Sequence, residues 1–178
     1  SGHALARGLL QPETRDEDVL ANARRRTGAI RMGRAARIHA RAVIAHVRRA
    51  TVGQTSVENT HPFRHGRFTF AHNGTIPEFD RVRQRMLAET DALHRAAIRG
   101  QTDSEHLFHY LLTRWSRGPQ NDLPGTVRAG LERVLAWCHE IAPGKQVGLN
   151  IVLSDGRQMV ASRLNRSPCA SSPSRMIW

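Results

Sequence analysis

Three short segments gather side chains able to hold and activate an amide: His46-Val47-Arg48-Arg49-Ala50-Thr51, His72-Asn73-Gly74 and Thr102-Asp103-Ser104-Glu105. Each falls where the hydrophobic pattern ends a strand or begins a helix, and element ends are where a scaffold presents chemistry. Arg48 carries a planar guanidinium that forks onto a carboxylate through two parallel hydrogen bonds. Asp103, at the start of a helix, is a carboxylate favoured by the helix dipole and suited to an ammonium group. Asn73 and Gly74 offer a side-chain amide donor and a backbone N–H in one tight turn, the pair a tetrahedral acyl intermediate needs. Together they make a clamp for a free α-amino acid, with donors aimed at its reacting amide. Taken singly, each has a plainer reading: Arg48 as a surface ion pair, Asn73-Gly74 as a hairpin-like turn, Asp103 as a helix-end residue.

The elements that must position these groups follow from periodicity. Residues 42–47, Ala-Val-Ile-Ala-His-Val, read as a buried strand with Ile44, His46 and Arg48 on one face and Val43, Ala45 and Val47 on the other. A polar loop containing Gly53, Asn59 and Pro62 leads to a second strand over residues 67–72, with Phe68 and Phe70 on one face. Asn73-Gly74 ends it in a sharp turn, because both residues tolerate positive φ. Thr75-Ile76-Pro77-Glu78 has capping-box spacing and a proline in the first turn, so a helix is expected to start there and run toward His94. Thr102-Asp103-Ser104-Glu105 repeats the spacing, with Glu105 expected to cap its own helix, and the helix that follows sets Leu107, Phe108, Leu111, Leu112 and Trp115 on one apolar face. A longer helix over residues 126–141 carries Leu131, Val134, Leu135, Cys138 and Ile141 on its buried stripe. Residues 149–153 and 159–164 flank Asp155-Gly156, a hairpin signal. The Arg-rich first forty residues suggest only a short surface helix over residues 16–26. Strands and helices segregated in this way point to an α+β fold rather than alternating βαβ units.

The four motifs His46-x-Arg48-x-Ala50-Thr51, Asn59-Thr60-His61-Pro62-Phe63, His72-Asn73-Gly74-Thr75-Ile76 and Thr102-Asp103-Ser104-Glu105, in that order, resemble the class II glutamine amidotransferases. The likeness is densest over residues 42–112, and is greatest to the small stand-alone members, such as those acting on γ-glutamyl amides. It implies a four-layer αββα N-terminal-nucleophile hydrolase sandwich, incomplete at its N-terminus, over residues 1–166, followed by a Ser/Pro-rich tail over 167–178. It further implies that Arg48 binds the α-carboxylate of glutamine or a γ-glutamyl group, that Thr51 supports the same substrate, and that Asp103 binds its α-ammonium. Asn73 and Gly74 would form the oxyanion hole, while His61 and His72 are read as structural. The family's nucleophile is an N-terminal cysteine whose own α-amine takes its proton. Here position 1 is Ser1, Cys138 falls on an apolar helix stripe and Cys169 in the tail. The expectation is therefore that the cysteine-bearing start precedes this chain; Ser1 acting as nucleophile is the alternative.

Composition limits the other readings. The chain has 178 residues, enough for a core, and only two cysteines, so a disulfide framework is not expected and a cytoplasmic setting is. No apolar run is long enough to span a membrane and no secretory signal is visible. The net charge of +12 admits a nucleic-acid-binding module, but the arginines are dispersed from Arg7 to Arg175 rather than gathered. A zinc site would need His or Cys at ligand spacing, which is absent, so no metal or cofactor is expected. A non-catalytic domain that holds a glutamine-like ligand is the remaining alternative, and a partner subunit or a second copy of the chain is an admissible partner.

Overall fold

The computed structural model describes residues 3–10, 20–22, 42–49, 59–119 and 121–166. Strands β1 (His3–Leu10), β2 (Leu20–Asn22), β3 (Ala42–Arg49), β4 (Phe63–His65) and β5 (Phe68–Asn73) come first. Helices α1 (Phe79–Glu89), α2 (Ala92–Ala97), α3 (Asp103–Arg117) and α4 (Leu123–Ile141) follow. Strands β6 (Val147–Gly148), β7 (Asn150–Ser154), β8 (Met159–Ser162) and β9 (Asn165–Arg166) close the order. The segregated α+β class expected from periodicity is the one observed.

Two compact units divide the chain, the first comprising the part up to Ala71 with Leu153–Met159, the second His72–Val152 with the part from Val160 onward. In the first, β1 is central to a three-stranded antiparallel sheet of order β2-β1-β3, in which Ala4 pairs with Arg48 and Gly8 with Ile44. Ile44 is buried, as its place in an apolar run requires. Two expectations change here. Leu20–Asn22 is a strand paired to Leu5–Arg7, not part of a surface helix over 16–26, and β1 itself was not anticipated. The sheet pairing overrides a weak local helix pattern, because a ladder bond is made to a distant segment that periodicity does not see. Further on, β4 and β5 form a hairpin through Gly66, which takes φ 55. The ring of the buried His61 meets Phe63 edge-on at 4.6 Å, in keeping with a packing role. Strand order in the four-stranded sheet is β4-β5-β7-β8, and the Asp155-Gly156 turn closes the β7–β8 hairpin with Gly156 at φ 85.

In the second unit α3 is the central helix. It packs against α1, α2 and α4, so every residue from Ser104 to Thr113 is buried, not just the one stripe expected. A helix buried on all sides must satisfy its polar side chains internally. Thr113 donates to the His109 carbonyl at 3.1 Å, and His106 donates from Nδ1 to the Thr102 carbonyl at 2.9 Å. The expected helix running toward His94 is two helices. α1 starts at Phe79 after Glu78, whose φ is 48, so Thr75–Glu78 is not a capping box. α1 ends at Thr90, and Asp91 then caps α2 by accepting from His94 N at 2.8 Å. α4 begins three residues before the expected start, because Asp122 caps it by accepting from Gly125 N at 2.8 Å, with a proline in the first turn. On its inner side Leu131, Val134 and Cys138 are buried as expected, Trp137 joins them, and Leu135 and Ile141 are only half-buried. No helix among the described residues is long and apolar enough to cross a membrane.

Candidate functional site

The residues expected to carry chemistry divide between the units. Arg48 lies on β3, in the first unit, and Thr51 lies outside the described residues. Asn73, Gly74 and Asp103 lie in the second unit, where long-range hydrogen bonds tie Asp103 to Ile76 and Asn73 to Asn150.

The turn after β5 is built by close approach. Asn73, Gly74 and Thr75 are exposed, while His72 and Ile76 on either side are buried. The turn was expected to use positive φ, but neither Asn73 nor Gly74 adopts it. Glycine is required at 74 for another reason: a Cβ there would sit 2.1 Å from the Gly148 carbonyl oxygen and 2.4 Å from its carbon. Gly148 N donates to the Thr75 carbonyl at 3.0 Å, which ties β6 to the same turn. From β7, the Asn150 side chain donates to the Asn73 carbonyl at 2.8 Å and accepts from Leu164 N at 3.0 Å. The turn is thus held from outside, with its polar tip left in solvent.

Asp103 is the first residue of α3, where Thr102 is the N-cap and accepts from Glu105 N at 3.2 Å. Its carboxylate is half-buried and is anchored on one side by Ile76 N, which donates to Oδ2 at 3.1 Å. That bond places the carboxylate two residues from the Gly74 turn. Ser104 Oγ lies 3.2 Å from Asp103 Oδ1 and 2.9 Å from His72 Nδ1. His72 Nε2 donates in turn to the Gly148 carbonyl at 2.9 Å.

Glu105 does not cap its own helix. Its buried carboxylate accepts from Arg99 N at 2.9 Å and Gly100 N at 2.6 Å, closing the loop after α2 onto α3. The capping spacing is present, but the first-turn carboxylate finds better donors in a neighbouring loop. Sequence reasoning also missed Gly148 and Asn150. Their partners lie 76 and 77 residues away, and no local pattern marks such contacts.

The cysteine question narrows. Cys138 is free and wholly buried, and burial pushes its thiol up to about 12. Such a thiol has neither access nor thiolate character. Cys169 and Ser1 lie outside the described residues. Among the described residues, no group of three or more His, Cys, Asp or Glu side chains is arranged to hold a metal ion.

Comparison with known proteins speaks to the family and the fold. A profile for "Glutamine amidotransferases class-II" matches residues 19–170. The Escherichia coli protein YafJ, which carries a glutamine amidotransferase name, is 35% identical over 125 residues, 67% of this chain and 44% of that protein. The glutamine–fructose-6-phosphate aminotransferase of Chlorobaculum tepidum is 33% identical over 93 residues, 51% of this chain and 14% of that enzyme. The chain therefore spans less than half the length of these curated relatives. Among solved structures, a glutamine aminotransferase class-II domain protein from Silicibacter pomeroyi superposes with a TM-score of 0.65, at 21% identity, over 92% of this chain and 69% of that one. The structural likeness carries the fold, and the profile match carries the family: this chain belongs to the class-II glutamine amidotransferases.

Proposed function

We propose that this domain binds glutamine or a γ-glutamyl amide and cleaves the side-chain amide, giving glutamate and ammonia or an amine. The observation that carries the reading is the Ile76 N–Asp103 Oδ2 bond of 3.1 Å. It fixes a carboxylate beside an exposed Asn-Gly turn, so one ligand can meet both. In this reading Asp103 takes the α-ammonium and Arg48 the α-carboxylate, with Thr51 supporting the same ligand. The Asn73 side-chain amide and the Gly74 N–H donate to the carbonyl oxygen of the amide as it becomes an oxyanion. A thiolate adds to the amide carbon, the C–N bond breaks as the leaving nitrogen takes a proton, and water cleaves the resulting thioester to free glutamate. The thiol is the N-terminal cysteine that the family resemblance implies, with its own α-amine as base. The buried Cys138 is unsuited to that role. No cofactor enters any step. A cytoplasmic setting, and a partner subunit or second copy that receives the ammonia, belong to the same reading.

The test is glutamate release by the full-length protein, supplied with L-glutamine and with γ-glutamyl amides. Release is expected, with a raised KM in Arg48→Ala. Absence of release from every donor, alongside retained binding of L-glutamate, would replace hydrolysis with a purely ligand-holding role.

A further inference from the structure

Ser104 stands between two groups that both want its hydroxyl. It lies 2.9 Å from His72 Nδ1 and 3.2 Å from Asp103 Oδ1, and a hydroxyl has one proton to give. The far side of His72 is fixed. Its Nε2 faces the Gly148 carbonyl at 2.9 Å, and a carbonyl only accepts, so Nε2 carries a hydrogen. Its single proton goes to Asp103 Oδ1 or to His72 Nδ1, and the serine oxygen stands between imidazole and carboxylate either way. His72 and Ser104 are also buried, at 2% and 5% exposure, so water does not readily substitute for either partner.

We propose that His72 and Ser104 are positioning residues for Asp103. The chain Gly148 carbonyl–His72–Ser104–Asp103 sets the direction of the carboxylate that receives the α-ammonium, and links it to the peptide that packs against Gly74. The inference rests on the reading of Asp103 as the ammonium-binding group. It assigns His72 a task beyond packing. The other titratable side chains at the start of α3 have partners of their own, Glu105 in Arg99 N and Gly100 N and His106 in the Thr102 carbonyl, and the contact to His72 from β6 is an uncharged peptide.

The test compares binding of L-glutamate with that of glutarate, which lacks the ammonium group, to the full-length protein. Ser104→Ala is expected to weaken L-glutamate by about three- to tenfold, the loss of one hydrogen bond, while leaving glutarate unchanged. In an Asp103→Asn background the same change is expected to have no further effect, because residues of one network are non-additive. If Asp103→Asn weakens L-glutamate but Ser104→Ala is silent, affects both ligands alike or adds in full, the relay is wrong and the clamp stands. If Asp103→Asn is itself silent, the clamp reading falls and the relay with it. A second measurement needs no substitution: the ring 15N resonances of His72 should move when L-glutamate binds and not when glutarate does. Equal shifts, or none, overturn the proposal even where a variant fails to fold.

Discussion

Gly74 and Gly148 approach so closely that a Cβ on Gly74 would lie 2.1 Å from the Gly148 carbonyl oxygen. The obstacle is backbone, which does not swing aside as a flexible side chain does. Gly74→Ala is therefore expected to force β6 and the turn apart, costing about 1–3 kcal/mol of stability. Urea denaturation of the variant beside the parent protein measures this. An unchanged midpoint would mean that the two strands are not held at this distance.

Glu105 gives a second measure of how α3 organises its unit. Its carboxylate is the acceptor for two backbone N–H groups, of Arg99 and Gly100. Glu105→Ala removes two hydrogen bonds to a charged group; Arg99 is exposed and Gly100 half-buried, so water takes up part of the loss. A drop in stability of about 1–3 kcal/mol is expected by chemical denaturation, with faster amide hydrogen exchange at residues 99 and 100.

How much of this was legible in the sequence depends on how far apart the partners lie. The apolar stripe of α3, the β7–β8 hairpin and β3 are each written in local alternation or 3.6-residue spacing, and all three were anticipated. Thr102 was legible as an N-cap for the same reason. Glu105, His72 and Asn150 were not, because what each bonds to is decided by tertiary packing: a loop beyond its own helix for the first, strands more than seventy residues away for the others. The glycine at position 74 was read correctly as a turn residue but for the wrong cause, since tolerance of positive φ is a local property and close approach is not. Asp103 and Asn73 were recognisable by their motifs; the bond from Ile76 N to Asp103 was not.

Cys138 bears on where the nucleophile is. Burial holds its thiol up at about 12, so it is expected to resist a thiol-reactive dye at neutral pH until the protein is unfolded. Cys138→Ser is expected to leave glutamate release unchanged. Rapid labelling of Cys138 in the native protein, or loss of turnover in the variant, would contradict the placement of the nucleophile elsewhere.

His106 makes stability depend on pH. Burial is the main cause holding its imidazole below the ordinary 6.5, with the Arg83 charge acting the same way and the Thr102 carbonyl, Glu105 and Asp103 opposing. The folded state therefore binds a proton less readily than the unfolded chain, so the contribution is intact above 6.5 and is lost as pH falls below it. His106→Gln, which can still donate to the Thr102 carbonyl, is expected to flatten the fall in denaturation midpoint between about pH 7 and pH 5. An identical slope in both proteins would show that His106 protonates alike in the two states.

The central claim is that Asp103 and the Asn73-Gly74 turn serve one ligand in two different ways, one holding it and the other stabilising its transition state. Glutamate release from L-glutamine, measured as separate kcat and KM values for Asp103→Asn and Asn73→Ala in the full-length protein, tests this most directly. The account predicts that Asp103→Asn raises KM by roughly tenfold or more with kcat largely kept, while Asn73→Ala lowers kcat by about a hundredfold or more with KM little changed. Unchanged kinetics in both variants, or the same loss in the same parameter from both, would contradict it.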